Sequence, residues 1–172
     1  MNCNGCKKCG LKLTGAPSLE ELKVAGRFPS EEERMKGPLA VIECIEEIPC
    51  NPCESACPQD AIHVGNPITN LPAIDYDKCI GCGICIACCP GLAICVRDYT
   101  YSSSEATISF PYEYLPIPEK GQAVKMVDRQ GQVVCDGIIL RVNNAPANHS
   151  TAVVTAVFPK EYYEQVISIR RL

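Results

Sequence analysis

There is no tryptophan in this chain of 172 residues, and phenylalanine occurs three times. A large aromatic core is excluded, so part of the fold's stability is expected from metal ligation. Long apolar runs are missing as well. The longest mostly apolar stretch, Ile84 to Val96, spans 13 residues, contains four cysteines and is broken by Pro90. A membrane-spanning helix needs about 20 apolar residues, so no membrane span is expected. Basic residues are not in excess: 16 Lys and Arg against 20 Asp and Glu leave a net charge of −4, which argues against nucleic-acid binding. No acid–base pair, catalytic triad or phosphate loop is visible, so the chain is not expected to be an enzyme on its own. The opening Met-Asn-Cys-Asn-Gly-Cys-Lys-Lys-Cys has no apolar h-region. A secretory signal is therefore not expected, and a reducing, cytoplasmic compartment is.

Cysteine is abundant, at fourteen residues. In a reducing compartment that density favours thiolate–metal sites over disulfides. Cys79-x2-Cys82-x2-Cys85-x3-Cys89-Pro90 has the full ligand spacing of a [4Fe–4S] cluster. Three thiolates separated by two residues each can wrap one face of a cubane. A related run, Cys50-x2-Cys53-x3-Cys57-Pro58, lies upstream. Zinc sites built from four cysteines usually use two Cys-x2-Cys pairs and a longer spacer, which two triple runs closing on Cys-Pro do not match.

The two runs belong to an internal repeat, displaced by 32 residues as Cys50 is from Cys82. The ligand-spaced cysteines, the proline of Cys-Pro, the pairs Ala61-Ile62 and Ala93-Ile94, and Val64 and Val96 all correspond. Each half should give a Cys-rich loop, a short helix and a strand. Cys79 falls on Glu47, which cannot serve, and the nearest thiol is Cys44, so the first half reads Cys44-x5-Cys50-x2-Cys53-x3-Cys57-Pro58. The longer first loop costs little entropy. An alternative register through Cys88 would need a ligand at Leu92, so Cys88 reads as a small buried residue, as does Cys95.

Before the repeat, Ser18-Leu-Glu-Glu21 and Ser30-Glu-Glu-Glu33 are capping-box patterns that predict two short helices. Leu39 to Ile42 reads as the first strand. After about residue 100, Pro111, Pro116 and Pro118 suggest a stiff connector. Strands are then expected at 123–127, 132–135, 137–142, 152–157 and 166–169, with a helical turn at 161–165. Such short strands point to a small antiparallel barrel-like segment.

Residues 38–98 resemble a bacterial-type ferredoxin with two [4Fe–4S] clusters. The resemblance implies an α+β chain, with a pseudo-two-fold dicluster ferredoxin domain at 38–98. A Cys-rich N-terminal segment at 1–37 precedes it, and a small all-β module at 99–172 follows. In that family the Cys-Pro cysteine of each run crosses to the other cluster. Carried over, Cys44, Cys50, Cys53 and Cys89 hold one cluster, and Cys79, Cys82, Cys85 and Cys57 the other. Cys44 departs from the family's spacing. Ile62, Ile80, Ile84, Ile86 and Ile94 would exclude water, and Glu46, Glu47 and Glu54 would lower the potential further. His63 is a candidate hydrogen-bond donor to cluster sulfur, while His149 lies in a polar loop.

Cys3-x2-Cys6-x2-Cys9 is a third triple run without a local fourth ligand. Three readings stay open: a third Fe–S cluster completed by Cys95, Cys135 or a partner subunit, a zinc site, or thiols unliganded until assembly. Flanking Lys7 and Lys8 favour thiolates and hence a metal.

The segment from Ile42 through Pro58, with Leu13-Thr-Gly-Ala-Pro-Ser18, also resembles the small ferredoxin-like subunits of flavin-dependent amino-acid dehydrogenase complexes of the proline and hydroxyproline type. That resemblance implies a hetero-oligomer in which a partner flavoprotein, carrying FAD or FMN, oxidises a C–N bond. This chain would take single electrons from the partner and pass them on. A free-standing ferredoxin shuttle and an Fe–S-dependent sensor or assembly protein are the alternatives.

Overall fold

The structure, a computed structural model, describes residues 10–172. Three short helices lead the chain: α1 (Gly10–Thr14), α2 (Leu19–Val24) and α3 (Glu31–Arg34). α2 and α3 start where the capping boxes place them. Ser18 Oγ accepts the Glu21 N–H at 3.1 Å while Glu21 accepts the Ser18 N–H at 2.7 Å. Ser30 and Glu33 make the same exchange at 3.2 and 2.7 Å. These contacts are local, so four residues suffice to specify them.

The cysteine-rich middle contributes β1 (Leu39–Ile42), α4 (Pro52–Ala56), β2 (Ile62–His63), β3 (Ala73–Ile74), α5 (Ile84–Cys88) and β4 (Ile94–Asp98). β5 (Glu105–Tyr112), β6 (Ala123–Val127), β7 (Val133–Asn143), β8 (Ala152–Pro159) and β9 (Ser168–Ile169) follow, with single 3-10 turns at Pro146–Asn148 and Lys160–Tyr162. Seven strands form one antiparallel sheet in the order β1-β4-β5-β8-β7-β6-β9, and β2 pairs with β3 separately. The expected boundary at 98/99 falls between β4 and β5, which are hydrogen-bonded neighbours.

Two strand expectations differ from the structure. The strands expected at 132–135 and 137–142 are one strand of 11 residues. β5 occupies part of the expected connector. It carries Pro111, but the β4 pairing ends at Ser109, so the proline lies where the strand has no β4 neighbour.

The sheet divides two cores. Its inner face gathers Val41, Cys95, Ile108, Phe110, Val154 and Met126, joined by Phe28 from the N-terminal segment and by Tyr163. On its outer face Ala40, Ile42, Ile94, Val96 and Val153 pack against Ile86 of α5 and the buried cysteines. Alternation along each strand assigns the two sides. The sheet curls strongly: Glu43, just past β1, reaches Arg129 in the β6–β7 hairpin, although these strands are far apart in sheet order.

Candidate metal centre

The internal repeat is present twice in the backbone. α4 and α5 are each five residues long and occupy corresponding positions. Each stops at the cysteine of Cys-Pro, because a following proline disfavours the helical conformation. Cys57 (φ −77°, ψ 110°) and Cys89 (φ −81°, ψ 109°) have nearly the same dihedrals. Their N–H groups donate to Glu54 O and Ile86 O, which also correspond, at 3.3 and 3.4 Å. The chain then turns through positive φ at Asp60 (48°) and Leu92 (51°). That turn brings the Ala61 N–H to 3.3 Å from Cys57 Sγ and the Ala93 N–H to 3.5 Å from Cys89 Sγ.

α4 and α5 pack against each other, and this contact brings the two halves' cysteines together. Burial pushes the Cys44 thiol above its ordinary range, and Cys89 and Cys50 are close enough to add to the effect. Cys53 is pushed up to about 11 by burial and then by Cys89, Cys88 and Cys50. On the other side, burial pushes the Cys85 thiol up, and Cys88, Cys79, Cys82 and Cys57 are close enough to add to the effect. Thus Cys89 lies with the upstream run, and Cys57 lies with the downstream one. Cys57, Cys79, Cys82 and Cys85 line a single pocket together with Ala61 and Ile62.

This donor set fits an iron–sulfur cluster. Crowded thiols in an apolar pocket resist ionisation unless a cationic centre offsets their mutual repulsion. Among the described residues, no three His, Cys, Asp or Glu side chains converge closely enough for a single metal ion. A single zinc requires sulfurs about 3.8 Å apart, from Zn–S bonds of about 2.3 Å in a tetrahedron. A cubane spreads its ligands over four irons and needs a wider set. The backbone supplies three donors to sulfur, the third being Ala40 N–H to Cys79 Sγ at 3.4 Å.

Other predicted participants are placed differently. Ile62, Ile86 and Ile94 are buried, whereas Ile80 and Ile84 are 59% and 52% exposed, although Ile80 still lines the pocket shared by Cys57, Cys79, Cys82 and Cys85. The His63 ring lies 4.0 Å from Asp60 rather than against a cysteine, and backbone amides take the sulfur-bonding role expected of it. Glu54 clamps α4 to the end of β2 by accepting from the Val64 and Gly65 N–H groups at 2.9 and 3.1 Å. Cys88 is half-buried rather than in the core; its Sγ lies 3.2 Å from Cys85 O and 3.8 Å from Pro52 O, between the two cysteine sets. Cys95 is buried in the inner core, and burial pushes its thiol up. Cys135 stands on β7 opposite Met126. Cys3, Cys6 and Cys9 lie outside the described residues. The amide donors to sulfur were missed from sequence, though the matched Ala61 and Ala93 marked where they would be.

The 4Fe-4S binding domain family matches residues 71–94. The polyferredoxin-like component of an aliphatic sulfonate oxidoreductase from Pyrococcus furiosus is 32% identical over 95 residues, 52% of this chain and 50% of that protein. A component of the selenate reductase of Mesobacillus selenatarsenatis is 34% identical over 98 residues, 51% of this chain and 30% of that protein. A component of an ion-translocating oxidoreductase complex from Methanosarcina acetivorans is 46% identical over 50 residues, 29% of this chain and 18% of its own length. The chain therefore spans half or less of the length of these relatives. No solved structure matches it. Among the described residues no helix is long and apolar enough to cross a membrane. Residues 71–94 thus match a 4Fe-4S binding domain, and the chain binds [4Fe–4S] clusters.

Proposed function

We propose that this chain is the electron-transfer subunit of a larger oxidoreductase, with two [4Fe–4S] clusters on crossed cysteine sets. Cys44, Cys50, Cys53 and Cys89 form one set, and Cys79, Cys82, Cys85 and Cys57 the other. The reciprocal placement of the two Cys-Pro cysteines, each beside the other half's run, carries this reading. A [4Fe–4S] cluster supplies one-electron storage, with the added charge spread over its irons and sulfides. The chain's own residues set the conditions. The Ala40, Ala61 and Ala93 amides stabilise negative charge on Cys79, Cys57 and Cys89. Ile62, Ile86 and Ile94 keep water away, which disfavours the more negative state.

The donor we infer is a partner flavoprotein dehydrogenase acting on an amino acid or amine, whose electron pair is drained singly towards a downstream acceptor. The resemblance of residues 13–18 and 42–58 to small subunits of such complexes supports this, and the relatives named as oxidoreductase subunits support a hetero-oligomer. An acidic chain of net charge −4 suits electrostatic docking.

Iron and acid-labile sulfide on anaerobically purified protein should each come to about eight per chain. Cys57→Ala should remove the same paramagnetic signal as Cys82→Ala. If it removes the signal lost in Cys50→Ala instead, ligation is local and the crossed arrangement is wrong. Iron near about twelve would add a third cluster on Cys3, Cys6 and Cys9, and one zinc would make that run structural. A stable flavoprotein complex on purification is the expected outcome, whereas a monomer that reduces several acceptors would make the chain a free shuttle.

A further inference from the structure

The downstream cysteine loop does more than enclose a metal site. Between Cys82–Ile84 and the outer face of the sheet lies a cleft of about 340 Å³, within the range of roughly 300–1,000 Å³ typical of small-molecule sites. Cys82, the one exposed cysteine among those described, stands in its wall. The floor is a cross-strand row with one residue from each of four adjacent strands: Val96, Ser109, Thr155 and Arg141. The Ser109 and Thr155 hydroxyls share a 2.8 Å hydrogen bond.

Arg141 is in this row because β7 is irregular. Ile139 pairs with Ala156 and Arg141 with Thr155, so Leu140 is an extra residue. With unbroken alternation Arg141 would point to the inner face with Ile139, and the bulge turns it outward over the cleft. It makes no ion pair or hydrogen bond among the described residues. The carboxylate in the cleft lining, Asp98, already accepts the Thr100 N–H and hydroxyl at 2.8 and 2.7 Å. A free guanidinium in the same cleft as an exposed cysteine, in a chain of net charge −4, is complementary to an anion. The exposed Ile84 lines the same cleft and offers apolar surface to whatever that anion is attached to.

We infer that this cleft is the electron-exchange port of the centre held by Cys79, Cys82, Cys85 and Cys57, and that it takes a small redox carrier bearing an oxoanion, which Arg141 holds beside Cys82. The inference rests on the ligand assignment proposed above. The step moves one electron: the carrier is oxidised or reduced by one electron, and the opposite change falls on the iron centre behind Cys82. No bond forms or breaks between the carrier and the protein; a carrier that gives up an electron loses its accompanying proton to water at the open mouth of the cleft, and one that gains an electron takes its proton from there.

Three flavins with the same ring test this: riboflavin without an oxoanion, FMN with a phosphate and carboxymethylflavin with a carboxylate. Their binding to the cluster-loaded protein is read from quenching of flavin fluorescence, and re-oxidation of the reduced protein is followed in parallel. At least one anionic flavin should bind about tenfold more tightly than riboflavin, the gain expected of one charge-assisted contact. Which of the two it is identifies the oxoanion. Arg141→Gln should bring the anionic flavins to the riboflavin level while leaving iron, sulfide and paramagnetic signals unchanged. Ser109→Leu, which fills the floor, should weaken all three. Equal affinities in a fully loaded protein, or an anion preference that survives Arg141→Gln, would overturn the port alone. A wild-type protein lacking the cluster signal assigned to Cys82 would overturn the ligand assignment together with the port.

Discussion

Glu43 stands between two buried arginines. Arg129 grips it from both nitrogens, Nε at 2.9 Å and NH2 at 2.5 Å, and Arg97 NH2 approaches to 3.5 Å. Arg97 is fully buried, donates to Tyr163 O at 2.5 Å and lies over the Phe28 ring. Glu43→Ala would leave two buried cations without a counter-charge. The expected loss is about 3–5 kcal/mol, the usual consequence of removing one partner from a buried ion pair, read from the denaturant midpoint of the loaded protein. Tyr163 gives a second prediction. Its hydroxyl is buried with no hydrogen-bond partner among the described residues, and burial pushes its pKa up to about 12. A folded-state pKa above the unfolded one means the associated stability is complete below the unfolded value of about 10 and is lost as pH rises towards 12. Tyr163→Phe should therefore be neutral or slightly stabilising at pH 7 and should flatten the alkaline loss between about pH 10 and 12. An unchanged alkaline limb in chemical denaturation would show that another group governs it.

Among the elements, the loop before α5 is the most tightly specified. Gly81 has φ +63°, and a Cβ there would lie 2.5 Å from Pro38 O, just before β1. Gly81→Ala must push the loop away from that strand, taking Cys79 and Cys82 with it. We expect the variant to keep about four irons per chain and lose the other half; eight irons would mean the loop can give way elsewhere. The helix starts were legible in the sequence because a capping box closes within four residues. β5 was not, although Ala106, Ile108, Phe110 and Tyr112 alternate inward at strand period. Pro111 and the later prolines argue against a strand, and only the end of the β4 pairing at Ser109 shows why one is tolerated there. The β7 bulge was equally hidden, since Gly137 to Val142 reads as an ordinary apolar run until its partner strand counts one residue fewer.

At the scale of the molecule, one curled sheet carries the cysteine unit on its outer face and a second core on its inner face. β4 belongs to both, because Ile94 and Val96 face the cysteines while Cys95 and Arg97 face Phe28 and Tyr163. Residues 38–98 expressed alone should therefore be less soluble and hold less iron than the full chain, since β4 would lose its β5 edge and its inner face would meet water. Equal iron content in the fragment would show that the cysteine unit is autonomous. The cysteine spacing, the repeat, the Cys-Pro stops and the helix caps could be read from the sequence by themselves, because each depends on residues close along the chain or on a duplication that the chain displays. Tertiary structure alone decided that Glu43 meets Arg97 and Arg129, that Cys88 lies between the two cysteine sets, and that Arg141 faces the cleft beside Cys82. Those contacts depend on how the sheet curls and where one strand slips register, and both are set by side-chain packing between distant segments rather than by any local preference.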